Sequence, residues 1–391
     1  VNALSLFLKR QSVQASLARA ALVLVMACFA FRDGMASSAS GTGGKEPQFQ
    51  CDSSGRSGAI GINVNNIGFP SLNSDQVISA LSQSGAGWVR VSIFWGWTER
   101  QRGVFNWQEI DQGLSKLQAA HMSVLITITG PVPCWAFGTN TNCTSPRNTI
   151  PPVKEWTAFV TAVVQRYSHQ VNYWEIWNEP DLIQSIDLPD ATQRLVQYRD
   201  DILIPGAEAV HSADPNAKVV APAFAAIPSG HTGMGPDLIH AFTMVMKGAG
   251  AHLVDIVSFH SYYPEDINQK AIFVHNAMLG MEMNSKPIWI TEAGLHTVQL
   301  GIAMSNLKSL DNLNFAESKQ AQFLTDQLNT VITHGNAQKV FWFALTDSTN
   351  GSGTHTNHYG LIDNSDFKTF SWKPRPAFLS LQGLVHSACM K

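Results

Sequence analysis

The chain has 391 residues, 45% of them hydrophobic and 14% charged, with a formal net charge of -3. That balance carries no electrostatic footprint for nucleic acid or for a strongly charged membrane surface. The length suits one large α/β barrel, a fold that takes about 250 residues and exceeds roughly 400 with insertions.

The N-terminus reads as an export signal. Lys9, Arg10 and Arg19 precede the apolar run 20–31, and small residues follow at 36–40, the order of a secretory signal and its cleavage site. The run is shorter than the ~20 apolar residues that span a bilayer. The expectation is therefore a signal peptide over 1–39, cut after Ala36 or Ala39, and a secreted or periplasmic chain with no membrane anchor after cleavage. A lipoprotein box ending at Cys28 is the minor alternative. Small residues over 40–50 read as a flexible linker, and 51–391 as one folded domain.

Beyond the signal, four cysteines remain: Cys51, Cys134, Cys143 and Cys389. An even number in an exported chain favours disulfides, with three possible connectivities. The simplest pairing is a local Cys134–Cys143 bridge with Cys51–Cys389 joining the two ends, and four free thiols are the alternative. A metal site is disfavoured, because no CxxC pair occurs and no histidines accompany these positions.

In chain order, 59–64 (AIGINV) is a first apolar strand. Asn73 or Ser74 caps a helix carrying Val77, Ile78 and Leu81, ended by Gly85 and Gly87. The second strand, 88–95 (WVRVSIFW), holds one charge, Arg90; a helix opened by Asn106 follows, with Ile110, Leu114 and Leu117 at helical spacing. The third strand is 123–130, and a long loop through Pro152 leads to a helix whose apolar face includes Trp156, Phe159, Val160 and Val163. The fourth strand opens YWEIWNEPD (173–181) and is stopped by Pro180, which leaves Asn178 and Glu179 at its tip. A helix over 190–211 and a fifth strand over 218–224 come next. A helix over 237–246 then precedes the sixth strand, 254–264 (VDIVSFHSYYP). After a helix over 269–281, the seventh strand, 287–295 (PIWITEAGL), carries Glu292. A helix over 317–334, an eighth strand over 340–345 and a closing helix over 376–384 complete the series.

Eight strand–helix units whose strands are continuous apolar runs predict a parallel sheet covered on both faces, and eight is the count of a single closed (β/α)8 TIM barrel. Its functional end is the C-terminal end of the strands. Glu179 and Glu292 both stand there, at the ends of buried strands where an unemployed carboxylate would be costly. Two such acids meet the needs of retaining glycoside hydrolysis, one donating a proton and one acting as nucleophile about 5–5.5 Å away.

Arg90, His260 and Tyr262 complete the expected site, an arginine and a tyrosine hydroxyl both favouring an ionised carboxylate. For Arg90 a purely structural ion pair with Glu175 is the competing reading. His260 as a metal ligand is disfavoured, since no matching ligand set exists. Asn178 is placed to donate to a sugar 2-hydroxyl. Trp95, Trp135, Trp177 and Trp342 lie near strand ends, where sugar stacking and core packing compete as explanations.

The motifs WVRVSIFW, GVFNW (103–107), YWEIWNEPD, VSFHSYY, PIWITEAGL, GLID (360–363) and KPRPAF (373–378) resemble clan A retaining glycoside hydrolases, and most of all the family 39 type. The resemblance implies Glu179 as acid/base and Glu292 as nucleophile, with Asn178, Arg90, His260 and Tyr262 in support. The expected activity is cleavage of β-linked oligo- or polysaccharides without metal or organic cofactor, and nothing in the sequence demands more than a monomer. A transglycosylase and a non-catalytic carbohydrate-binding protein on the same scaffold are the alternatives. The cysteine-bearing loop after the third strand and the polar stretch 347–359 depart from the pattern, so substrate preference is where the resemblance says least.

Overall fold

Parallel strands close in chain order into a barrel, as the alternation predicts. They are β1 (Ser57–Asn63), β2 (Ala86–Phe94), β3 (Ser123–Thr129), β4 (Tyr173–Ile176), β5 (Lys218–Phe224), β6 (Ile256–Tyr262), β7 (Ile288–Gly294) and β8 (Lys339–Trp342), with β8 pairing back onto β1. The computed structural model describes residues 51–389 apart from 54, 66–67, 139–144, 226–237, 264–266, 282, 298–309, 348–357 and 367–370. The signal peptide and linker expected over 1–50 lie outside the described residues. Among those residues no helix is long and apolar enough to cross a membrane.

Helices α1 (Asp75–Gln83), α2 (Gln108–Ala119) and α3 (Val153–Tyr167) bury the apolar stripes read from their spacing; α3 buries Trp156, Phe159, Val160, Val163, Val164 and Tyr167. The helix expected over 190–211 is broken into α4 (Ala191–Gln197), a π-helical stretch (Tyr198–Leu203) and α5 (Ile204–Ala213). Pro205 has no N–H for the carbonyl of Asp201, and the preceding turn widens. Beyond α6 (Leu238–Met246), α7 (Ile267–Leu279) and α8 (Leu310–His334), the chain adds an antiparallel hairpin, β9 (Ile362–Asp366) with β10 (Ser371–Pro374), that the periodicity reading does not contain. The last helix, α9 (Pro376–Cys389), runs five residues past its expected end and reaches the disulfide Cys51–Cys389, whose Cα atoms are 5.6 Å apart. Cys134 is also disulfide-bonded, and Cys143, the partner expected for it, lies outside the described residues.

The barrel interior is layered. Its floor is a plug of Trp88, Leu125, Val220, Ile256, Trp289 and Phe341, with Tyr173 against it. On β1 the matching position is Gly61, where a Cβ would come within 2.2 Å of the Phe341 ring, so only glycine fits beside that plug. Two residues further along the first four strands, strand alternation brings Asn63, Arg90, Thr127 and Glu175 inward, all buried. An apolar floor beneath a polar second layer sends the polar chemistry to the C-terminal mouth. Replacing Gly61 with Val should lower unfolding free energy in urea by about 1–3 kcal/mol or more through overpacking, with no change at the mouth; a variant as stable as the parent would show that the floor is not packed as described.

Candidate active site

Arg90 is wholly buried, and a lone guanidinium there would pay a desolvation penalty of several kcal/mol. It is offset by partners on β1, β4 and β7 and on the turn after β4. Nε donates to Glu175 Oε2 at 2.7 Å, Nη1 to Asn63 Oδ1 at 2.9 Å and to Glu292 Oε1 at 2.5 Å, and Nη2 to Asn178 Oδ1 at 2.7 Å. Arg90 therefore makes the ion pair with Glu175 and at the same time binds Glu292 and Asn178. Burial alone would lower its pKa, but Glu175 and Glu292 outweigh that and raise it, so Arg90 stays charged. Thr127 Oγ1 also donates to Glu175 Oε2, at 2.8 Å.

The expected fourth strand is shorter than its aromatic run suggests, ending at Ile176. Trp177 and Glu179 have φ of 71° and 47°, in the left-handed region that costs a non-glycine residue about 1–3 kcal/mol. Backbone bonds hold this turn: Trp177 N–H to Ile128 O at 2.9 Å, and Glu179 N–H to Ala223 O at 3.2 Å. It drives Trp177 outward against Trp156 and Gly130, while Asn178 and Glu179 line the cavity at the mouth.

Glu292 reaches the cavity by a different local irregularity. Trp289 faces the barrel floor, and strict alternation would send a residue three positions later to the outer face. The pairing of β6 with β7 skips one residue, His260 lying opposite Glu292 although Phe259 lies opposite Ile290. This bulge at Thr291 turns Glu292 inward. Asn63 Nδ2 donates to the Thr291 carbonyl at 2.9 Å, so the bulge is held from across the barrel.

Glu179 and Glu292 meet around His260. His260 Nδ1 is 2.9 Å from Glu179 Oε1 and 3.6 Å from Glu292 Oε2, and one oxygen of each acid lies within 4.8 Å of the other. Tyr262 donates its hydroxyl to Glu292 Oε2, while Arg90 holds Oε1. Burial would raise the Glu292 pKa; His260, Arg90 and the Tyr262 hydroxyl outweigh it, and the carboxyl is held below its ordinary 4.5. Burial likewise opposes charge on His260, but Glu292 and the hydrogen bond to Glu179 raise its pKa. Tyr262 is pushed well above 10.0 by burial and the two acids, which keeps it a donor. Behind the turn, Asp181 is pushed up to about 6 by burial and by the charge of Glu179. The expectation that His260 has no matching ligand set is corrected: the fold brings Glu179, His260 and Glu292 to metal-ligand spacing. Arg90 and Tyr262 already engage both oxygens of Glu292, and a guanidinium 2.5 Å away repels a cation.

The tryptophan expectations are corrected. Trp95, Trp177 and Trp342 are fully buried, Trp95 stacked on Phe159 with its Nε1 donating to Glu99 Oε2, and Trp342 beside Phe323. Trp135 borders a separate hollow of about 260 Å³ with Arg102 over its ring. None of the four is among the described residues lining the roughly 710 Å³ cavity at the mouth. Its aromatic lining is Phe94, Trp97, Phe343 and Tyr359 beside Tyr262. Tyr359 packs against Tyr262, Phe343 and His296, on a segment fixed by a buried fork in which Arg375 donates to both oxygens of Asp347 at 2.7 Å. Asn63 and Asn65, an asparagine pair closing an otherwise apolar first strand, join the expected residues, Asn63 against Arg90 and Asn65 in the cavity lining.

A family model described as "Glycosyl hydrolase catalytic core" matches residues 135–370. The chain belongs to that family. This glycosyl hydrolase superposes on a family 39 glycoside hydrolase from Bacteroides cellulosilyticus WH2 with a TM-score of 0.61 at 16% identity, covering 86% of this chain and 65% of that one. It also superposes on xylanase B from Clostridium stercorarium F9 (TM-score 0.55, 14% identity, 83% and 96% covered) and a β-glucosidase from Thermotoga maritima (0.53, 12%, 82% and 88%). Likeness at these identities is likeness of fold. No curated protein matches in sequence.

Two outcomes follow from the arginine. Arg90→Met strands Glu175 and Glu292 as buried, unpaired acids and should cost about 3–5 kcal/mol by denaturant unfolding; a cost near zero would remove Arg90 from its central place. Glu292, with its folded pKa depressed, contributes stability that is complete above 4.5 and is lost as pH falls through the folded value. The stability gap between parent and Glu292→Gln should therefore narrow on acidification below the ordinary glutamate range, and a gap independent of pH would contradict the assignment.

Proposed function

We propose that this glycosyl hydrolase cleaves β-glycosidic bonds of an oligo- or polysaccharide with retention of configuration, Glu292 as nucleophile and Glu179 as acid/base. The observation that carries the reading is the approach of the two carboxyl groups, oxygen to oxygen within 4.8 Å across His260. Retaining pairs stand about 5–5.5 Å apart, and inverting pairs need roughly 6.5–9.5 Å to admit a water between them.

In the first step a Glu292 carboxylate oxygen bonds to the anomeric carbon. The bond from that carbon to the glycosidic oxygen breaks, its electron pair going to the oxygen, which takes the proton of Glu179. His260 Nδ1 engages Oε1 of Glu179, which leaves Oε2 to carry that proton. Arg90 and Tyr262, bound to the two Glu292 oxygens, keep the nucleophile ionised and oriented and stabilise it again as the leaving carboxylate. In the second step Glu179 takes a proton from water as the water oxygen displaces Glu292 from the anomeric carbon. Asn178 spends its carbonyl on Arg90, so its NH2 is the end offered to a sugar 2-hydroxyl, a contact that tightens as the ring flattens. An export signal and the Cys51–Cys389 bridge support action outside the cytoplasm, and no step requires a second subunit or a cofactor.

Proton NMR of fresh digests of β-linked oligosaccharides should show the β-anomer as first product, whereas an α-anomer first would exclude the double displacement. Glu292→Gln should have no detectable turnover. Glu179→Gln should lose about 10²–10⁴-fold in rate on sugar leaving groups and far less on activated aryl glycosides, which leave without a proton. Chains longer than the substrate would mark transglycosylation.

A further inference from the structure

Around the closed barrel the cavity has two unlike ends. On the side of Glu292 it is lined by Phe343 and Tyr359 of the segment after β8; on the side of Glu179 it is lined by Asn148, Gln184 and Ser185 of the loops following β3 and β4. If Glu179 protonates the departing oxygen, the departing group lies on its own side. Trp97, on the turn after β2 that packs against the loop following β3, is the only large hydrophobic side chain of the described cavity lining that is exposed, at 54%.

The backbone that carries Trp97 is clamped. It belongs to a single helical turn, Trp95–Thr98, in which Trp95 is sunk in the core while Trp97 emerges. Between them Gly96 donates its N–H to Pro131 O at 2.8 Å, and a Cβ on Gly96 would come within 2.7 Å of both Pro131 O and the Pro146 ring. The turn is thereby clamped onto the loop after β3. That loop is tied to the next: Asn148 Nδ2 donates to Gln184 O at 2.8 Å, and Asp187 N–H to Asn148 O at 2.7 Å. Phe94 supports the indole, ring centres 4.4 Å apart and tilted by 45°. A pre-set apolar ring beside hydroxyl and amide side chains is the chemistry that recognises a pyranose, whose C–H face is apolar and whose rim is polar.

Resting on the function proposed above, we propose that Trp97 is the stacking platform for the sugar on the leaving-group side, so that the enzyme is built for chains with at least one sugar beyond the bond cleaved. The probes are xylo-, cello-, laminari- and manno-pentaose. Their binding is measured by calorimetry with Glu292→Gln, to exclude turnover, and their cleavage with the active chain. Trp97→Ala should weaken binding of the accepted pentaose by 10-fold or more and act on KM more than on kcat. Trp97→Phe should recover most of that loss. Leu279→Ala, an equally exposed side chain outside the cavity lining, serves as control for surface truncation and should change neither. Equal binding by parent and Trp97→Ala overturns the platform, and so does failure of the parent to bind any of the four. Binding that depends on Trp97 with no cleavage of any probe keeps the platform and rejects hydrolysis. Cleavage indifferent to Trp97 does the reverse.

Discussion

One buried positive charge orders the mouth of this barrel. Arg90 stands where strand alternation puts an inward residue above an apolar floor, and its guanidinium is satisfied by Glu175, Asn63, Asn178 and Glu292. Because the planar fork fixes its donor directions, satisfying it also fixes the partners. Asn63 connects the same charge to the bulge carbonyl of Thr291, so the position of Glu292 is determined twice, through its own carboxylate and through the backbone before it. A cation in a dry interior is a poor source of net stability, but it is an effective way to hold acids that would otherwise repel one another.

The two acids reach the cavity by breaking local rules. Glu179 sits in a left-handed turn that an L-residue enters only at a cost, and Glu292 follows a strand bulge that reverses the alternation of β7. Ordinary strand geometry would carry Glu292 to the outer face and Trp177 inward. The surrounding packing absorbs that cost: Trp177 fills the space beside Gly130 and Trp156, and Ala223 O and Ile128 O accept the N–H groups the turn would otherwise strand. Both of these irregularities fall where polar side chains must converge, and a further register shift lies at the floor, between Ser57 and Gly61 of β1.

The cavity walls depend on anchors outside the acid cluster. The Asp347–Arg375 fork, with Gly360 N–H also bound to Asp347 Oδ1 at 2.8 Å, fixes the segment that presents Tyr359. Burial would raise the Asp347 pKa, and the Arg375 hydrogen bonds outweigh it, so this pair remains charged as the outer pH changes. After β2 the Gly96 contact with Pro131 and Pro146 plays the equivalent part for the backbone of Trp97. Neither anchor touches the acids, yet each decides which aromatic ring faces a ligand.

How much of this could be read in one dimension follows the range of the forces involved. The eight-fold alternation of apolar runs and helical stripes determined the barrel, and the barrel determined that Glu179 and Glu292, at strand ends, share one mouth; burial periodicity is local and survives in a single sequence. Arg90, a single charge in a strand with no other, announced a buried partner for the same reason. The tryptophans could not be sorted that way. Trp95 and Trp97 differ by two residues, about half a helical turn, and which is core and which is wall depends on Pro131 and Pro146, more than thirty residues away. The bulge at Thr291, the meeting of both acids at His260 and the fork that holds Tyr359 are likewise products of contacts between distant segments, and only closure of the barrel brings those segments within reach.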